Sequence, residues 1–84
     1  MALPASFNNA VAVTPNDTNP VIGTVLNPLL ISAIYVGGAG NVTVFTQGGQ
    51  TVTFTAPPVG STIYVRAVRV NATGTTATNL VAMY

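Results

Sequence analysis

The chain has 84 residues, the size of one small domain, and carries three formal charges, at Arg66, Arg69 and Asp17. Charged residues make up 4% of it, against about 25% in ordinary domains. With a net charge of +1 and no His or Cys, the chain lacks the basic cluster that nucleic acid requires, the thiols of disulfides and zinc sites, and the groups that titrate near neutral pH in acid–base catalysis.

Surface polarity must therefore come from Thr, Asn, Gln and Ser. So little charge gives little colloidal repulsion, which favours self-association. Domains near this size lean on disulfides, metals or oligomerisation for stability. The first is absent and the second has few ligands, which leaves oligomerisation.

In chain order, Met1–Asn9 reads as an extended arm, because Pro4 and Asn8-Asn9 oppose a helix. It has neither the basic region nor the apolar run of a signal peptide. Ala10–Val13 reads as a short strand. Thr14–Pro20 (TPNDTNP) is dense in turn formers, and Asp17 is expected to bond its own backbone there. Val21–Leu26 is a strand candidate interrupted by Gly23, and Asn27-Pro28 breaks it again. Leu29–Val36 is the most apolar run. Leu30, Ile34 and Val36 lie on one face with Ser32, and Leu29, Ile31, Ala33 and Tyr35 on the other, so both faces should be covered, one of them by a neighbouring subunit. The Pro and Gly around this run argue for strands and against a membrane-spanning helix.

Gly37–Gly40 (GGAG) suggests a phosphate loop only superficially. The motif needs a further Gly and a following helix, and an alternating strand follows instead; the expected role is a turn or bulge with positive φ. Asn41–Thr55 (NVTVFTQGGQTVTFT) is the organising hairpin. With Gly48-Gly49 as a two-residue loop, Phe45 faces Val52, Val44 faces Thr53, and Thr43 faces Phe54. Phe45, Val52 and Phe54 then share a core face. Val42, Val44 and threonines 46, 51, 53 and 55 form a semi-polar face open to water or a second chain.

Ala56–Gly60 (APPVG) is a stiff connector. Ser61–Val70 (STIYVRAVRV) is the longest strand candidate. A one-residue bulge near Ala67-Val68 turns Ile63, Val65, Val68 and Val70 inward and Tyr64, Arg66 and Arg69 outward. Asn71–Asn79 is a polar loop, and Leu80–Tyr84 a last strand tied into a sheet. No segment has helical periodicity. The expected fold is all-β: a small antiparallel β-sandwich or barrel-like domain.

No catalytic, cofactor or metal site is predicted. Ser6, Ser32 and Ser61 have no base beside them in composition, and a hard cation wants more carboxylates than Asp17 alone. Three Asn-x-Thr triplets, at Asn16, Asn41 and Asn71, fit the glycosylation pattern as chance matches in an Asn- and Thr-rich chain. The interface candidates are Tyr35, Tyr64, Arg66, Arg69 and Tyr84, since Tyr and Arg combine contact area with a polar tip.

The segments YVGGAGNVTVFTQGGQTVTFT and VRAVRVNATGTTATNLVAMY resemble the head spike base proteins of tailed phages and phage-like gene transfer agents. The likeness runs from about Tyr35 to Tyr84 and is most specific at the ending. The chain departs from the family at Asn41 and Gln50, where Asp is common. The resemblance implies an all-β virion component on the outer capsid. It would form a pentamer at five-fold vertices, bound to the major capsid protein and holding a spike or fibre. A trimeric cement (decoration) protein, a tail or fibre module, and a carbohydrate-reading host-attachment module are the alternatives.

Overall fold

The computed structural model describes residues 9–23 and 28–84. The expected arm, Asn9 excepted, and Thr24–Leu26 of the interrupted strand lie outside them. Among the described residues the chain is all-β, with antiparallel pairing throughout. One sheet has four strands. β1 (Ala10–Ala12) lies beside β9 (Leu80–Met83), then β4 (Ala33–Val36), then β7 (Thr62–Ile63). The other has three, with β5 (Val42–Thr46) between β6 (Thr51–Phe54) and β8 (Ala67–Val70). β2 (Ile22–Gly23) and β3 (Pro28–Leu29) form a two-stranded ribbon.

The core lies between the two larger sheets. Ile31, Ile34, Val36, Val42, Val44 and Val70 are fully buried, joined by Ile63, Ala67, Ala77, Leu80 and Ala82. Each fully buried Ile or Val contributes about 1.5–3 kcal/mol before entropy is counted. Val11, Val13, Val21, Phe54 and Val65 pack around that centre.

The hairpin departs from its expected register. Val44 faces Val52, Thr43 faces Thr53 and Val42 faces Phe54. Gly49 N–H donates to Thr46 O (3.0 Å), Thr46 N–H donates to Gln50 O (2.8 Å), and Gly49 has φ +85°. The loop thus has three residues, Gln47–Gly49, and needs one left-handed glycine rather than two. A one-residue change of register alters which residues share a face. Val42 and Val44, expected on the semi-polar face, are core residues, whereas Phe45 sits on the outer face with Thr43, Thr51 and Thr53.

Ser61–Val70 is not one strand. It leaves its first sheet after Ile63, crosses at Tyr64–Arg66 and enters the second sheet at Ala67. The expected bulge is present: Phe45 faces Arg69 and Thr46 faces Ala67, so Val68 is the extra residue. Its effect on facing differs, since Ala67 is fully buried and Val68 only half-buried. The apolar run Leu29–Val36 is likewise divided. Ile31 pairs alone with Ala67 of β8, while Ala33–Val36 belongs to the other sheet. This stitches the two sheets together on one side.

Asp17 does not close its own turn. Asn16 does that, its Oδ1 accepting from the N–H groups of Thr18 and Asn19 at 2.8 and 2.7 Å. Asp17 instead accepts from Thr73 N–H (2.9 Å) and from the Thr73 hydroxyl (2.7 Å), tying the two polar loops together. The GGAG segment serves close packing more than turning. A Cβ at Gly37, Gly38 or Gly40 would collide with the backbone of Thr76–Asn79, and of these three only Gly40 has a positive φ.

Candidate docking site

Two outer faces are left once the core is formed. On the four-stranded sheet, strand alternation and register place Ala10, Ala12, Ala33, Tyr35, Thr62, Val81 and Met83 together, facing away from Ile34, Val36, Leu80 and Ala82. This outer face has no charge. Tyr35 stands out from it, 38% exposed.

The outer face of the three-stranded sheet is different. The Arg69 guanidinium lies 4.2 Å from the centroid of the Phe45 ring, and Arg69 Nε donates to Asn71 Oδ1 at 2.9 Å. Stacking over the ring and the Nε hydrogen bond together hold the planar guanidinium in one orientation on this face. Asp17 lies near enough to feel this charge. Its carboxyl is held below the ordinary value of 3.8, first by the Thr73 N–H and hydroxyl and to a lesser degree by the Ala72 N–H and Arg69. Thr43, almost fully buried on this face, shares a hydroxyl hydrogen bond with Thr53 (2.8 Å), and its N–H donates to Thr75 Oγ1 (3.0 Å). The Asn71–Asn79 loop thus continues the line of β8 along β5.

A solved structure described as the capsid of a native gene transfer agent particle, computed with C5 symmetry, contains a chain with the same fold. The TM-score is 0.76, with 30% sequence identity over 99% of this chain and 92% of that one. The chain belongs to the family of that capsid-particle protein. No family model matches it, and no curated protein does. It is therefore a phage-like capsid-related structural protein of the virion.

In this capsid-family chain the five interface candidates do not form one patch. Tyr35 is on the uncharged face of the four-stranded sheet. Tyr64, 69% exposed, and the exposed Arg66 lie on the crossing between sheets, where Arg66 O accepts from Gln47 N–H (3.0 Å). Arg69 is on the other outer face. Tyr84 is half-buried, and its backbone exchanges both hydrogen bonds with Asn9. The C-terminal strand β9 is paired on both edges, so only its outer face is open to a subunit contact.

Two features escaped sequence reasoning. Phe45 is the platform for Arg69, a pairing between β5 and β8 that the sequence shows only once Phe45 is placed on the outer face. Thr73 holds Asp17 across 56 positions, which no local pattern signals. The Asn41 side-chain oxygen accepts from Ala56 N–H at 2.9 Å, which ties the start of β5 to the residue that follows β6 and its exposed Thr55.

Proposed function

We propose that this chain is a structural protein of the outer capsid, assembling as a homopentamer at five-fold vertices. There it would bind the major capsid protein and seat a spike or fibre. One observation carries the reading: the fold match to a capsid-particle chain over nearly the whole length, at 30% identity. The uncharged face around Tyr35, Val81 and Met83 supports a role in adhesion, since such a face gains by leaving water. A five-fold ring matches a five-fold vertex without an adaptor and spreads weak contacts over five copies. Binding to capsid and spike, not turnover, is the activity in this reading.

The test is the copy number in purified particles by quantitative mass spectrometry, combined with antibody labelling of intact particles. Five copies per labelled vertex are expected. Copies in multiples of three per face would indicate decoration of three-fold sites, and labelling confined to a tail would overturn the vertex assignment.

A further inference from the structure

We infer that neighbouring copies of this chain join by strand addition, the edge of β6 pairing with the edge of β1 on the next copy, both edges being open among the described residues. This rests on the oligomeric reading above and adds the surfaces that make the contact. The Thr46–Gln50 hydrogen bond fixes the alternation along the hairpin, so that Val52 and Phe54 point their backbone groups at β5. Thr51, Thr53 and Thr55 then point theirs away from the sheet. These three residues and Val52 are all exposed, and the backbone groups of the three threonines have no partner among the described residues.

β1 is the same case in the other sheet. Asn9, Val11 and Val13 exchange hydrogen bonds with the β9 side, as the Asn9–Tyr84 and Val13–Leu80 bonds show. Ala10 and Ala12 therefore direct their N–H and C=O groups outward, and both are exposed. The other strand ends are not equivalent. The outer edge of β8 is occupied by Ile31, Val21 and Asn16, which bond Ala67, Val68 and Val70, and β7 is only two residues long.

Natural sheets protect open edges with charge, proline, bulges or a covering segment. β6 and β1 contain no charged residue and no proline, and the one bulge in the three-stranded sheet is on β8. Their outward residues are small, Thr on one edge and Ala on the other, so a second backbone can approach. The two edges belong to different sheets. Joining one to the other is a head-to-tail contact, the kind that closes into a ring when the rotation allows. Joining β6 to β6 would stop at a dimer.

Thr51→Pro and Ala12→Pro test this. Each removes an N–H that points away from its own sheet, at an edge position where proline is tolerated. Native mass spectrometry of the full chain should give a wild-type ring, at five times the 8.5 kDa chain mass in the pentameric reading, and monomers for both variants. Mixing the two variants should restore one junction and yield a heterodimer, which also shows that both remain folded. A wild-type oligomer untouched by either proline, or no heterodimer on mixing, overturns the edge contact and leaves the capsid assignment standing. An Ala12→Pro protein that still associates while Thr51→Pro does not would show β6–β6 pairing and overturn it too. A wild-type chain that is monomeric at every concentration would overturn self-assembly itself.

Discussion

β5 and β6 are adjacent strands of one hairpin with nearly the same composition, VTVFT and TVTF, yet they meet opposite environments. Val42, Thr43 and Val44 of β5 are buried, whereas Thr51, Val52 and Thr53 of β6 are exposed. β5 lies between β6 and β8, under the Asn71–Asn79 loop on one side and over the core on the other, whereas among the described residues β6 has a single neighbour. The contrast teaches that burial in this chain follows position in the sheet, not residue type. In the assembly proposed above, the uncharged edge strand β6 is the surface that a second copy covers.

The sharpest way to break the comparison is to make one change in both strands. Val44→Ala removes two buried methyl groups and leaves a cavity, at a cost of about 2–3 kcal/mol. Val52→Ala, at a position 38% exposed, should change the stability of the isolated chain by less than about 0.5 kcal/mol. Urea unfolding of both variants checks this, and equal losses would contradict the assignment of β5 to the core and β6 to the edge.

Glycines sharpen the same point. Gly40 has φ +140°, and a side chain there would strike the backbone of Thr76-Ala77, so Gly40→Ala should destabilise by about 1–3 kcal/mol. Gly48, at the hairpin tip, has only the Thr46 hydroxyl at 3.9 Å, and its alanine variant should melt close to wild type. Differential scanning calorimetry separates them.

Much of this was legible in the sequence. Alternating Val and Thr, the density of Gly and Pro, and the absence of helical period gave the all-β class, the hairpin, and the bulge at Ala67-Val68. The hairpin register was not legible, because Gln47-Gly48-Gly49-Gln50 is compatible with a two- or three-residue loop. The choice is made by which of Val44 and Phe45 the distant β8 and β4 can bury. The break at Tyr64–Arg66 was hidden for a related reason: STIYVRAVRV alternates acceptably, and only the two-sheet topology divides it. Interface candidates chosen by residue type scattered over the molecule, while the edge strands, whose exposed groups are backbone, carried no side-chain signal.

Smaller effects probe the two outer faces. Arg69→Lys loses the Nε hydrogen bond to Asn71 and most of the stacking on Phe45, which should cost about 0.5–1 kcal/mol; an unchanged midpoint in thermal unfolding would show that the stack is incidental. Smallest is the pH dependence from Asp17. Its carboxyl is depressed in the folded chain, so its contribution is fully present above the ordinary value of 3.8 and is lost as pH falls through the lower folded value. The melting temperature should be flat from neutral pH to about pH 5 and fall below pH 4, and Asp17→Asn should flatten the acid limb. An acid limb unchanged in that variant would contradict the Thr73 tether.

The central claim is tested most directly by a cryo-electron microscopy reconstruction of the particle that carries this chain, with symmetry relaxed at the vertices. The account predicts a ring of five copies on the outside of the capsid, with β6 of each copy continuing into β1 of the next. Copies on the inner surface, on a tail, or as isolated monomers on the lattice would contradict it.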